Sequence, residues 1–149
     1  MRTRANIFIA LCVAIAGCHS SVNPQNNAPA VVGTWVVSAS KAPFPMHLFA
    51  FHSDGIVQQS NPDAGDPNTS DSSAMGVWVA DGDEIRGKIV EVTADRKTRR
   101  FASRGEISFT LKVTGDAFSG EASAMFYSAD GGKLRGPITT PITGRRVKP

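Results

Sequence analysis

From Val31 to the C-terminus, apolar and polar residues alternate in short runs, and no stretch keeps the three-to-four spacing of an amphipathic helix. Eight runs stand out: 31–40, 46–52, 55–60, 75–80, 84–93, 99–114, 117–128 and 133–146. The sixth is the clearest. Phe101, Ser103, Gly105, Ile107, Phe109, Leu111 and Val113 share one face, against Ala102, Arg104, Glu106, Ser108, Thr110, Lys112 and Thr114 on the other. Between runs stand the dipeptides that tight hairpins favour: Asp54-Gly55, Gly82-Asp83, Gly115-Asp116 and Asp130-Gly131. The pattern predicts an all-β domain over 31–149: eight antiparallel strands with an apolar inner face and a polar outer face. Closing such a meander into an up-and-down barrel removes its edges. Eight strands enclose a space that side chains can fill or that can hold one small ligand. A two-sheet sandwich is the other architecture these strands allow.

The first thirty residues break the pattern. Arg2 and Arg4 precede an apolar stretch, Ile7 to Ile15, that is too short to span a bilayer. It ends in Ile15-Ala16-Gly17-Cys18, which resembles the lipobox of bacterial lipoproteins. That resemblance implies a signal peptide over 1–17, cut before Cys18, and a fatty-acylated Cys18 that fixes the chain to a membrane. An ordinary secretory leader with a chance cysteine is the alternative. His19 stands where Asp would be a retention signal, similar to lipoproteins sorted to the outer membrane, so the resemblance places the domain in the envelope, facing the periplasm. Residues 19–30 are polar and almost uncharged, and read as a flexible tether with a root-mean-square reach of about 17–21 Å.

Composition narrows the picture. At 149 residues one core is feasible. The chain's 2 cysteines are Cys12, inside the leader, and Cys18, so an acylated mature chain has no thiol for a disulfide or a Cys-based metal site. The net charge is +3, and Arg2 and Arg4 account for most of it, which leaves too small a basic excess for a nucleic-acid binder. Charge is nonetheless uneven. Before residue 84 the domain is acidic apart from Lys41; after it basic residues dominate, with Arg96, Lys97, Arg99 and Arg100 clustered at one turn. Such a turn is either an ordinary solvated one or a surface for anionic headgroups near the anchor.

Gly33-Thr34-Trp35 at the start of the first strand resembles the Gly-x-Trp signature of the calycin superfamily, to which lipocalins and avidins belong. In lipocalins a basic residue near the end of the last strand packs over that Trp, and Arg145 or Arg146 stands in the matching place. The domain is also similar to small exported bacterial barrels of uncharacterised function. Their pattern looks like Phe51 to Gly55, a second Gly-x-Trp at Gly76 to Trp78, and Gly115 to Gly120 in this chain. The other lipocalin sequence blocks and the usual disulfide are absent. The resemblance implies a fold and fixes no chemistry.

With Trp35 pointing inward, the second strand turns either His47, Phe49 and Phe51 or Leu48, Ala50 and His52 to the interior. Trp78, Ile85, Ile89, Phe109, Phe118, Phe126, Leu134 and Ile138 are further inward candidates. The small residues Gly87, Gly105, Gly120, Ala122, Ala124 and Gly136 leave volume between them. That volume either accommodates the barrel's taper or forms a cavity. In the second case His47, Phe49, Phe51, Trp78, Phe109 and Phe126 are the expected ligand-binding residues, with His47 and Glu91 as the weak catalytic candidates. His47 and His52 are five apart and face opposite ways, so they do not share a metal. The loop 61–73 carries Asp63, Asp66 and Asp71 but lacks EF-hand spacing. No motif asks for a cofactor or a metal, and no enzyme signature is present. Three functions fit: a lipid-anchored barrel binding a small apolar or amphipathic ligand, a barrel enzyme of the cyclase or isomerase type that works by confinement, or a filled-core module that binds or inhibits a protein through its loops.

Overall fold

The computed structural model describes residues 29–60 and 66–149. The leader, Cys18 and the tether up to residue 28 lie outside the described residues, as does the 61–65 part of the acidic loop with Asp63. The described residues form nine strands and no helix: β1 (Gly33–Ala39), β2 (Met46–Phe51), β3 (Ile56–Ser60), β4 (Thr69–Asp71), β5 (Ala74–Asp81), β6 (Glu84–Asp95), β7 (Phe101–Thr114), β8 (Ala117–Ser128) and β9 (Lys133–Arg146). Each barrel strand pairs antiparallel with the next, and β9 returns to β1, so an eight-membered ring closes. β4 adds no place to the ring. It pairs with β6 at Thr69↔Asp95 to Asp71↔Thr93, beyond the end of β5, and so takes up part of what the alternation leaves as loop 61–73. The edges are thereby consumed, as expected of a closed antiparallel sheet.

Antiparallel order gives the barrel two ends. The turns before β3, β6 and β8 lie at one end with the start of β1. The β1–β2 loop, β4 and the turns before β7 and β9 lie at the other. The first end is filled. Trp35 is fully buried, its indole N–H donating to the Val31 carbonyl at 2.7 Å, and its ring centroid lies 5.0 Å from that of Phe118. Arg146 lies opposite Trp35 in the β1–β9 register, with its guanidinium carbon 4.3 Å from the ring centroid. Of the two candidate arginines it is therefore Arg146 that covers the indole, while Arg145 points outward and is exposed. Arg146 also donates to the Val32 carbonyl at 2.7 Å and to the Ala30 carbonyl, and pairs with Asp116 at 3.3 Å. Gly33 leaves room for this: a Cβ there would stand 2.8 Å from Arg146 Nη1.

Above that layer Phe51 and Trp78 meet edge to face at 5.9 Å, and Phe51 meets Phe109 at 6.0 Å. Trp78 donates to the carbonyls of His52 and Ile56. Ile85, Ile89 and Leu111 complete the core. The ring of Phe109 lies across Gly87, where a Cβ would come within 2.3 Å of it. Gly87 is thus one half of a large–small pair and leaves no free volume behind.

Two expectations need correcting. The outer face is polar on β7, where Ser108, Thr110, Lys112 and Thr114 are exposed, but on β5 it carries Met75, Val77 and Val79, each more than half exposed. Leu134 is 60% exposed where an inward position was expected. The cause is a register shift. Ala124 pairs with Ile138 but Phe126 pairs with Arg135, so β9 spends an extra residue across two of β8 and the inward parity changes from even to odd.

The clasp at the filled end gives two expectations. In urea unfolding, Trp35→Ala should cost about 3–5 kcal/mol and Arg146→Ala about 2–3, whereas Arg145→Ala should stay within about 0.5. The Lys148 ammonium, hydrogen-bonded to Asp116, and the Arg146 guanidinium hold the Asp116 carboxyl below its ordinary 3.8 against a smaller opposing effect of burial. A carboxylate with a depressed folded pKa contributes stability that is present above the unfolded value and is lost as pH falls through the folded one. Melting temperature should therefore decline below about pH 4, and Asp116→Asn should flatten that decline.

Candidate functional site

The other end of the barrel is not filled. A cavity of about 200 Å³ opens between the β1–β2 loop, β4 and the ends of β6 to β9. Phe49 and Phe109, whose centroids are 6.0 Å apart, form its floor and separate it from the Phe51–Trp78 layer. Val37, Ile107, Ala122, Ala124, Ile138 and Ile142 make the apolar wall. The alanines matter here: both line the cavity, and β8 would crowd this space with any larger residue at 122 or 124. Lys41, Ala42, Pro43 and Phe44 of the loop form one lip.

Alternation in β2 sends His47 inward with Phe49, and Leu48 outward, where it is 47% exposed. His47 is half-buried at the cavity wall, with Nδ1 3.0 Å from the side-chain nitrogen of Gln59. With the amide nitrogen as donor, the imidazole Nδ1 is the acceptor of this contact. Gln59, on β3, is the one buried polar residue among the described residues, at 8% exposure. His52 is exposed beyond the end of β2, at the filled end.

Glu91 reaches the wall from β6. Its side chain lies across Gly105, where a Cβ would stand 2.9 Å from Oε1 and 3.1 Å from the Phe126 ring. A residue with a side chain at 105 would push Glu91 and Phe126 apart. Phe126 in turn carries Arg135, whose guanidinium carbon is 4.6 Å from the ring centroid. Asp71, on β4, is at the rim and accepts the Thr93 hydroxyl at 2.7 Å. Rim and wall together thus hold two cations, Lys41 and Arg135, two carboxylates, Asp71 and Glu91, and the His47–Gln59 pair.

The basic turn between β6 and β7 stands at this same end. Arg96 donates from Nε to the carbonyls of Asp66 and Thr69, which ties the turn to β4 and the rest of the acidic loop. Backbone N–H groups of Asn68 and Thr69 hold Asp66 below its ordinary 3.8. The 66–69 part of the loop is therefore a strut built on side-chain and main-chain hydrogen bonds, and no group of three or more His, Cys, Asp or Glu able to hold a metal occurs among the described residues.

Of the residues expected to bind a ligand, His47, Phe49, Phe109 and Phe126 line the cavity, and so does Glu91. Phe51 and Trp78 do not; they are 2% and 6% exposed, and belong to the packed layer below the floor. Sequence reasoning missed Gln59, Lys41, Phe44 and Arg135. Gln59 was detectable, because it shares the inward face of its strand with Val57. Arg135 was not, because its position depends on the register shift in β9. No protein-family model, curated protein or solved structure matches the chain.

Proposed function

We propose that the protein is a lipid-anchored barrel of the cell envelope that binds one small apolar or amphipathic molecule at its open end. The observation that carries this is the asymmetry of the interior. Six aromatic rings and a buried aliphatic layer pack one end and the floor, while the other end is left as a cavity with apolar walls and a few convergent polar groups. That combination is what small-molecule sites generally have. A cyclase or isomerase reading draws on His47 and Glu91 lining the same cavity, a general base and a carboxylate within one confined space. A filled-core interaction module draws no support from an interior of this kind.

Anchoring at Cys18, taken with the fold, orients the site. Residues 29–32 lie under the filled end, where Arg146 and Trp35 hold the carbonyls of Ala30, Val31 and Val32. β7 spans 14 residues, about 46 Å along the strand and roughly 35 Å along an axis from which strands tilt by about 40°. With the chain entering at the filled end, the open end and the basic turn beside it are on the side of the barrel away from an anchor at Cys18. The ligand is then exchanged with the periplasmic space, and Arg96, Lys97, Arg99 and Arg100 are not the headgroup contacts of the anchoring membrane.

Native mass spectrometry of the full-length chain, purified in mild detergent from a periplasmic expression host, should show an extra mass that disappears on unfolding. Ala122→Phe, which fills the cavity, should lose it. A bare wild-type mass together with no small-molecule binding above the Ala122→Phe background would remove the reading. For the orientation, a fluorophore at Thr114→Cys, on the filled end, should be quenched by nitroxide lipids in vesicles carrying the acylated protein. One at Asp130→Cys should not, and the reverse order would overturn the arrangement.

A further inference from the structure

We infer that the cavity selects a compact organic acid, a ring-sized apolar body bearing one carboxylate. This rests on the ligand-binding reading above and deepens it. Size comes first. A cavity of about 150 Å³ lined by apolar groups accommodates benzene, so about 200 Å³ suits a molecule of roughly eight to eleven non-hydrogen atoms and excludes engulfing a long acyl chain. The floor formed by Phe49 and Phe109 offers ring faces and edges to a flat apolar body.

Charge decides the rest. Asp71 is already engaged by the Thr93 hydroxyl, and Glu91 is likewise not without a partner. Asp71 forms no ion pair either, but its carboxylate already has a donor; the Lys41 ammonium and the Arg135 guanidinium differ in taking part in neither a side-chain hydrogen bond nor an ion pair among the described residues. Arg135 is brought to the cavity by the shift in β9 and laid on the face of Phe126. Stacking occupies the flat face of a guanidinium and leaves the N–H edge, the part that binds a carboxylate in a fork. A neutral ligand gains nothing from that edge. An acid gains a charge-assisted contact from Arg135 and a further attraction from Lys41 on the facing lip.

The test is equilibrium dialysis of the full-length chain in detergent against matched pairs: benzoate and benzamide, cinnamate and cinnamamide, phenylacetate and phenylacetamide. Binding to Ala122→Phe is subtracted as background. At least one acid should bind ten-fold or more tightly than its amide. Arg135→Gln should remove most of that preference and Lys41→Gln a smaller part, with the amide's affinity unchanged. Equal binding of acids and amides overturns the charge rule and leaves the cavity reading standing. An acid preference that survives both substitutions overturns the assignment to these two residues. Failure of every probe to exceed the background overturns this inference, while the cavity reading is decided by the native mass of the protein.

Discussion

Arg146 sits where the two ends of the barrel come together, and the closure of the sheet depends on what it holds. The ring of strands exists only because β9 pairs with β1, and at the last position of that pairing the guanidinium of Arg146 lies on the indole of Trp35. The same group gathers the carbonyls of Ala30 and Val32 and the carboxylate of Asp116, so one side chain satisfies the entering chain, the β7–β8 turn and the floor of the core. A cation in this place is stabilising because one face lies on the indole and each of its three nitrogens has an oxygen partner; without them a largely covered charge would be costly. Trp35 is bound as firmly, with its N–H on Val31 and its ring against Phe118.

Sealing one end this way lets the other stay open. Large rings and glycines alternate through the lower half, as with Phe109 over Gly87, and the density of an ordinary core follows. In the upper half the small residues of β8, Ala122 and Ala124, line the cavity. The polar groups there are not scattered. His47 is oriented by Gln59, Glu91 is seated over Gly105, and Arg135 is laid on Phe126, so the charges at the mouth are held by packing as well as by solvent. A preorganised rim of this kind reduces what binding costs in side-chain freedom.

The strands were legible because their chemistry is local. The alternation in β7 and the Gly-Asp turn at Gly115 and Asp116 follow from a period of two and from turn geometry, and the structure has both. The inward face of β2 was open between two parities; burial of Phe49 and Phe51 beneath Phe109 is a tertiary fact that chose between them. Phe51 and Trp78 were legible as interior residues, but whether an interior ring faces a cavity or another ring depends on the strand across the barrel. Asp71 looked like part of a free acidic loop, and the pairing of Thr69 to Asp71 with β6 makes it a rim residue on a strand.

By itself, the sequence determined an all-β domain and the number of strands that close the ring, because both follow from spacing and from turn residues along a single stretch of chain. Only the tertiary structure decided that Arg146 and not Arg145 covers Trp35, that Leu134 faces out while the exposed Arg135 reaches the mouth of the cavity over Phe126, and that the cavity lies at one end. Those outcomes depend on register between strands far apart in sequence, and a shift of one residue exchanges the two faces of a strand while leaving its local pattern untouched.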